Sequence, residues 1–253
     1  MLNTKQMNGA AFLRTLRTKT LVGSVVSHRD MVAVVEEETE RRGWLLGKNR
    51  SHLSTDGSCM ASSWDVAVPS SDSEYHIAES LVPSLGIVNC NRSPFTRKFY
   101  GGFRFTDDDS GIVMMEHAMG RIAGDPLKLK EAMGEAFEEY EVGMVQKGID
   151  PAPFDANVVI LQERNLSQED EAMLVYKAGQ GYLNRMTSVQ QCMMPWSHLG
   201  VVATLYQRGP RTAWNFLRCF ASMAKRNEPI KQFEHLFKFF KLLHDPSLAS
   251  VRI

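Results

Sequence analysis

The sequence contains no long hydrophobic run: none of its apolar stretches approaches the about 18–20 residues that a membrane-spanning helix requires. We therefore expect no membrane span. Hydrophobic residues make up 43% of the 253 residues and charged residues 23%, a composition typical of globular rather than disordered proteins. A chain of this length can bury a sizeable core in one domain or in two.

Cysteine is also scarce. Cys59, Cys90, Cys192 and Cys219 lie far apart and form no Cys-x-x-Cys pair. This spacing argues against a structural zinc site and against a disulfide framework in a chain of this size. The pattern predicts four reduced thiols and a cytoplasmic, reducing compartment.

The N-terminal segment lacks acidic residues, because residues 1–29 contain five basic residues and no acidic one. Organellar transit peptides have a similar composition. We favour a basic N-terminal arm, and import into an organelle is the less favoured alternative.

Complete catalytic and cofactor motifs are missing. Gly43 to Asn49 is one residue short of a phosphate-binding loop and lacks its Ser or Thr. Gly179 and Gly181 lack the third glycine of a dinucleotide fingerprint, and the sequence holds no His-Glu-x-x-His or Gly-x-Ser-x-Gly motif. We therefore expect no cofactor. Whether the protein is an enzyme stays open, with a non-catalytic protein favoured.

Strand signals are few and confined to the middle of the chain. The serine-rich stretch 51–73 predicts a surface loop around one short strand at residues 64–68, and residues 86–90 predict a second strand. The clearest signal is a hairpin, in which Phe99–Phe105 pairs with Ile112–Met119 across a turn of Asp, Ser and Gly residues.

Helical patterns are more numerous. Caps and a 3.6-residue apolar period predict helices from Ser27 to about Arg42, from Pro126 to about Gly148 and from Ile230 to Leu243. We therefore predict a mixed α+β fold that is predominantly α-helical, with a small β-hairpin or sheet region around residues 60–120 and a helical C-terminal half.

The chain divides into three expected regions. Residues 1–50 form a basic arm and helices, residues 51–124 a β-containing region, and residues 125–253 a helical region. The rigid Pro-Ala-Pro sequence at 151–153 gives a candidate boundary at 148–154. A single compact domain is the alternative.

Charge is unevenly distributed although the net charge is zero. Residues 1–104 carry 13 basic and 10 acidic residues, residues 105–175 carry 5 and 16, and residues 176–253 carry 11 and 3. Such asymmetry bears on association rather than on fold. It predicts a negative and a positive surface through which copies of the chain attract one another.

The basic C-terminal third also interleaves cations with aromatic residues. Single-stranded nucleic acid is bound in this way, by neutralised phosphates and stacked bases. The competing interpretation is that the aromatics are core and the cations are solvated helix faces. The candidate nucleic-acid-binding residues are Arg185, Arg208, Arg211, Arg218, Lys225, Arg226, Tyr206 and Trp214.

A weaker candidate site surrounds the predicted hairpin. Asp107 and Asp109 lie in its turn, and Glu116 and His117 lie on the returning strand. These side chains could hold a divalent cation for metal-assisted hydrolysis. The favoured interpretation is a solvated turn without metal, because Asp often bonds its own backbone in turns.

Three functions follow from these features. The first is a non-catalytic structural protein of the nucleocapsid or coat type, whose partners are further copies of itself and, as a second expectation, single-stranded nucleic acid. The second is a metal-dependent hydrolase that uses the hairpin cluster. The third is an adaptor whose last helix binds a partner through its surplus apolar residues, Phe239 and Leu242.

Overall fold

Six strands form one antiparallel sheet in the order β1-β2-β3-β4-β5-β6, so that each strand pairs with its neighbours in the sequence. The computed structural model describes residues 4–7, 26–67, 81–92, 96–106, 109–119, 122, 125–145, 165–167, 170, 212–224 and 229–243. The strands are Thr4–Met7 (β1), Leu45–Ser54 (β2), Cys59–Ala67 (β3), Leu81–Cys90 (β4), Thr96–Phe105 (β5) and Gly111–Ala118 (β6).

Four α-helices are described beside this sheet. They are His28–Arg41 (α1), Pro126–Tyr140 (α2), Ala213–Ala224 (α3) and Pro229–Leu243 (α4). A π-helical turn, Glu141–Val145, continues α2.

The two faces of the sheet carry different helices. On β5, the ring of Phe99 packs on Phe137 and Tyr140 of α2, with centroid distances of 5.2 and 5.8 Å. The next residue, Tyr100, stacks on Phe233 of α4 at 5.2 Å. Because successive side chains of a strand point to opposite faces, α2 and α4 cover opposite faces, with the sheet between them.

Each of these helices has a helical neighbour. Lys130 of α2 forms an ion pair of 2.6 Å with Glu37 of α1. On the other face, Phe239 of α4 stacks on Phe220 and Phe216 of α3, with centroid distances of 3.7 and 5.6 Å. All three rings of this second contact are buried or half-buried.

The predicted fold class is wrong, because the sheet dominates the described part of the chain. Five of the six strands have eight or more residues, whereas a typical strand has about five or six. The fold is a sheet-centred α+β arrangement. The small sheet region expected around residues 60–120 is in fact a sheet that begins at Thr4 and continues through Ala118.

The largest error lies in the stretch predicted as a serine-rich loop. Four of its serines, Ser51, Ser54, Ser62 and Ser63, belong to β2 and β3. Ser51 and Ser62 are opposite each other and fully buried. Their hydroxyl oxygens are 2.9 Å apart. A hydroxyl that bonds across two strands is satisfied without solvent, so that these serines do not indicate a loop.

Several local predictions are confirmed. Ser27 caps α1 by accepting a bond from the Asp30 backbone N–H, and Asp125 caps α2 at Leu127. The hairpin of β5 and β6 forms, and its register shifts between Gly101 and Gly102. The strand at residues 86–90 and the last helix also form, whereas α2 ends at Tyr140, earlier than predicted. The candidate boundary at 148–154 lies outside the described residues.

The prediction of four reduced thiols is wrong for two of them. Cys59 and Cys90, which are direct partners on β3 and β4, form a disulfide, and Cys219 is buried and belongs to no disulfide. Disulfides are rare in reducing compartments, so this bond does not fit the cytoplasmic location that we expected. In the described part of the chain, no helix has the length and apolar character needed to cross a membrane.

Candidate functional sites

A cleft of about 250 Å³ opens between helix α4 and the sheet. Short side chains line it on the sheet side: Ala61 and Ser63 of β3 and Ser84 of β4. Beside them, Gly86 allows the ring of Phe233 to approach the backbone, since a β-carbon at Gly86 would lie 2.7 Å from Cε1 of that ring. The short side chains on one wall and Phe233 on the other together create the cleft.

Charged side chains from distant parts of the chain meet at one end of the cleft. Asp65 of β3 receives two parallel bonds from Arg104 of β5, Nε to Oδ1 and Nη2 to Oδ2, both of 2.7 Å. Arg50 of β2 donates from Nη1 to Oδ1 of Asp65 at 3.0 Å. The Asp65 side chain is only 15% exposed, and it therefore fixes the orientation of both guanidinium groups.

A second carboxylate, Asp109, binds the outward edges of the same two arginines. Arg50 donates from Nη2 at 2.8 Å and from Nε at 3.1 Å, and Arg104 donates from Nη1 at 3.1 Å. Lys48 lies 3.5 Å away. The Asp109 side chain is 43% exposed, so that this contact faces the solvent.

The backbone conformation of Asp109 supports this contact. Its φ of 61° lies in the left-handed region, which is uncommon for residues other than glycine although Asp tolerates it. A bond of 3.1 Å from its backbone N–H to the carbonyl of Phe105 closes the turn. The β5–β6 turn thus presents this carboxylate to Arg50 and Arg104.

Both carboxylates of the cluster are ionised at neutral pH. Burial raises the pKa of Asp65, but the hydrogen bonds from Arg104 and Arg50 lower it by more than burial raises it. The pKa of Asp65 therefore lies below its usual value. For Asp109, burial likewise raises the pKa, and the bond and charge of Arg50, with the charges of Lys48 and Arg104, lower it on balance. The cluster therefore combines three cations with two anions.

The remaining walls of the cleft are mostly uncharged. His52 of β2 lines it, and burial lowers the pKa of this histidine, so its ring is neutral at pH 7. Phe103, Ile112 and Leu236 add apolar surface. The cleft thus joins a cationic edge to a small apolar chamber, the arrangement that a small ligand with an anionic group requires.

A second feature is an acidic face, formed by the exposed carboxylates of α1 and α2. Helix α1 carries five acidic and two basic residues, and α2 carries four and two. The exposed members are Asp30, Glu36, Glu37, Glu40, Glu131, Glu135, Glu138 and Glu139.

A buried cation holds the two acidic helices together. Arg42, whose side chain is 6% exposed, bonds Glu38 of α1 and Glu141 at the end of α2. Its guanidinium also lies 5.8 Å from the ring centre of Trp44 and 5.1 Å from that of Phe137. This arrangement fixes α1 against α2, so that their carboxylates form one surface.

The helix on the opposite face is basic. Helix α4 exposes Lys231, Lys238 and Lys241 and contains a single acidic residue, Glu234, which pairs with Lys238. We call these lysines the basic face. Since α2 and α4 cover opposite sides of the sheet, the acidic face and the basic face point in opposite directions.

The predicted nucleic-acid residues are only partly described. Trp214 is 9% exposed and packs edge-on against Phe105 at 5.7 Å, and Arg218 lies 5.1 Å above the same ring. Both therefore take part in core packing. The other candidates, Arg185, Arg208, Arg211, Lys225, Arg226 and Tyr206, lie outside the described residues, and nucleic-acid binding stays a prediction.

The structure does not bring the predicted metal ligands together. Asp109 lies at one end of β6, and Glu116 and His117 lie near the other end, about 20 Å away along an extended strand. Glu116 pairs with Lys98 at 3.0 Å, and His117 Nδ1 lies 2.8 Å from Glu139 Oε2. Asp107 is outside the described residues. Among those described, no three metal-binding side chains form a group.

Of the two surplus apolar residues of the last helix, Phe239 and Leu242, the first packs within the chain. Phe239 is 1% exposed because it packs on α3, and it is not presented to a partner. The side chain of Leu242 is outside the described part.

Sequence reasoning missed the arginine cluster. Arg50, Asp65 and Arg104 are far apart in the chain, and only the register of the sheet joins them. One signal was present: Lys48, Arg50 and His52 alternate, which places them on one face of a strand. That alternation could have indicated a polar strand face across the end of the expected region 1–50 and the start of the expected loop.

Comparison with known proteins finds no family model, no curated protein and no solved structure that matches this chain. A function for this chain is therefore inferred from the geometry of its own residues.

Proposed function

We propose that the protein is a non-catalytic structural protein that associates with further copies of itself, acidic face against basic face. The observation that carries this proposal is the placement of the two faces on opposite sides of one sheet. A contact between two different surfaces of the same chain is heterologous, and it extends into rings or filaments. Such an assembly suits a coat-type or scaffold-type subunit.

The energetics favour a salt-sensitive contact. Individual exposed ion pairs contribute at most about 1 kcal/mol each. A surface of one sign also attracts its complement over about 10 Å at 0.1 M ionic strength and about 30 Å at 0.01 M. The exposed residues of α1 and α2 are eight carboxylates and four cations, a net charge of −4, whereas α4 carries three exposed lysines and one glutamate, a net charge of +2. We therefore expect association at low salt that weakens as the salt concentration rises.

The test is sedimentation velocity of the 253-residue chain at low and high NaCl. Two double variants each change the charge of one face. Glu135→Lys with Glu138→Lys changes the acidic face, and Lys231→Glu with Lys241→Glu changes the basic face. Each double variant alone should sediment as a smaller species than the parent protein at low salt. A mixture of the two should associate again, because the unchanged basic face of the first variant can bind the unchanged acidic face of the second.

A matched control exchanges charges within one helix. Lys128→Glu with Glu135→Lys moves two charges on α2 and leaves the net charge of the acidic face unchanged, so the parent association should persist. A parent protein that is monomeric at low salt over a wide concentration range would overturn the proposal. So would association that neither salt nor the two reversals weakens.

The disulfide adds a proposal about location. Because Cys59 and Cys90 are bonded, we place this assembly in an environment oxidising enough to keep that bond. Thiol labelling of protein taken directly from its source tests this: the bonded pair should not react before reduction, and labelling of both thiols would contradict it.

A further inference from the structure

The arginine cluster of the cleft has an inner and an outer carboxylate with different roles. Asp65 is 15% exposed, binds both guanidiniums from the sheet side and cannot leave without uncovering two cations. Asp109 is 43% exposed and touches only their outward edges. The inner carboxylate therefore supports the arginines, whereas the outer one occupies a position that another anion can take.

We propose that the outward edges of Arg50 and Arg104 bind the oxyanion group of a small ligand, and that the carboxylate of Asp109 holds this position until the ligand displaces it. The guanidinium N–H groups that bind Asp109 match the oxygens of a carboxylate or a phosphate. Lys48, whose Nζ lies 3.5 Å from Oδ2 of Asp109, adds a third cation. This site is distinct from the two charged faces and does not depend on self-association.

The charge of the site sets the preferred anion. With Asp109 in place, three cations face two carboxylates. When Asp109 turns into the solvent, the same three cations face Asp65 alone, which leaves an excess of two positive charges. A doubly charged phosphate ester should therefore bind more tightly than a singly charged carboxylate of the same shape.

The volume of the cleft limits the size of the group that the ligand carries beside its oxyanion. Ligand pockets commonly measure about 300–1,000 Å³, and this one is about 250 Å³. An apolar cavity of about 150 Å³ holds one benzene molecule. The chamber beside Phe103, Phe233 and Leu236 therefore accommodates a single ring or a compact aliphatic group, attached directly to the oxyanion.

Phenyl phosphate, benzoate and the neutral benzamide are suitable probes for calorimetric titration of the 253-residue chain. We expect phenyl phosphate to bind most tightly, benzoate next, and benzamide least. Tighter binding of benzoate would assign the site to carboxylates and overturn the charge argument. Equal binding of all three would overturn the oxyanion site itself.

Variants separate the proposed roles. Asp109→Asn removes the competing negative charge, and asparagine, like aspartate, tolerates the left-handed backbone conformation. This variant should bind phenyl phosphate about two- to fivefold more tightly. Lys48→Gln, at a side chain that is 62% exposed, should lower the affinity by a similar factor without affecting folding. Arg92→Gln removes an exposed cation that pairs with Asp56 outside the cleft and should change nothing.

Thermal unfolding of each variant verifies that it is folded before titration. An unchanged or lower affinity in folded Asp109→Asn would overturn the role of Asp109. An effect of Arg92→Gln as large as that of Lys48→Gln would show that the anion responds to the general charge of the protein, and would overturn the site.

Discussion

Gly102 and Ile112 are so close across the β5–β6 hairpin that a β-carbon on the glycine would lie 1.9 Å from the carbonyl oxygen of Ile112. The register shifts at this point, between Gly101 and Gly102. The shift allows the strand to bend, and it brings two backbones into a contact that only glycine permits.

Replacing Gly102 with alanine should therefore be severely destabilising. Since the obstructing atom belongs to the backbone, the hairpin itself must move, and we expect a loss of about 3 kcal/mol or more in the free energy of unfolding. Chemical denaturation monitored by circular dichroism measures this loss.

Gly134→Ala is the matched control for that experiment. Gly134 lies in α2, and a β-carbon there would have no neighbour within 4 Å. Alanine should stabilise the helix by about 0.5–1 kcal/mol. Equal effects of the two substitutions would contradict the close contact at the hairpin.

The parts of the fold that sequence predicted are those fixed by neighbouring residues. Ser27 and Asp125 cap helices through bonds to residues two or three positions away, and the turn between β5 and β6 depends on its own Asp, Ser and Gly residues. Such short-range signals can be read from one segment alone.

The parts that were missed depend on contacts between distant segments. Ser51 and Ser62 are buried because two strands meet there, and tertiary context often overrides intrinsic strand preference. The same holds for the disulfide, since Cys59 and Cys90 are 31 residues apart and only the register of β3 and β4 brings them together. The arginine cluster requires still more long-range contacts, because it joins residues of β2, β3 and β5 with Asp109 of the β5–β6 turn.

Trp214 was predicted to stack on nucleic acid, yet it packs against Phe105 in the core. Trp214→Ala should therefore lower the free energy of unfolding by about 3–5 kcal/mol, and Trp214→Phe by less. At temperatures where it is folded, Trp214→Phe should leave any affinity for a fluorescent single-stranded oligonucleotide unchanged in an anisotropy titration.

The double variant Arg208→Gln with Arg211→Gln provides the comparison for that titration, because both arginines are predicted nucleic-acid-binding residues. If the basic third binds nucleic acid, this variant weakens binding and reduces its dependence on salt. A folded Trp214→Phe protein that loses binding would instead show that the tryptophan contacts the ligand.

His28 lies at the first position of α1, in a fully bonded site. Its Nδ1 accepts from the side-chain amide of Asn89 at 2.9 Å, and its Nε2 donates to the carbonyl of Gly57 at 3.0 Å. Burial lowers the pKa to about 4; the Gly57 bond opposes this shift, and the charge of Arg97 adds to it. The imidazole is therefore neutral in the folded protein near pH 7.

This pKa makes stability depend on pH with a definite sign. Between about pH 4 and 6.5 the unfolded chain binds a proton at His28 that the folded chain does not, so the free energy of unfolding falls as the pH falls through this window. The shift of the pKa corresponds to a loss of about 3 kcal/mol by pH 4.

Urea denaturation at several pH values tests the effect of this histidine. His28→Gln keeps a side chain that can bond within the site but does not titrate, so its stability should vary less between pH 6.5 and 4 than that of the parent. His235, whose pKa burial also lowers to about 4, contributes in the same direction. Replacing both residues should therefore flatten the profile further, and a profile unchanged by His28→Gln would contradict this account.

The Cys59–Cys90 disulfide closes a loop between residues separated by 31 positions. In the chain-entropy description such a cross-link stabilises by restricting the unfolded state, here by about 3–4 kcal/mol. Reduction should therefore lower the free energy of unfolding by this amount.

The double variant Cys59→Ala with Cys90→Ala should be less stable than the oxidised parent to a similar extent and should no longer respond to reductant. Cys219→Ala serves as the control, because that thiol is outside the disulfide. The stability of this variant should still fall on reduction. A parent protein with equal stability before and after reduction would show that the sheet alone holds β3 and β4 in register.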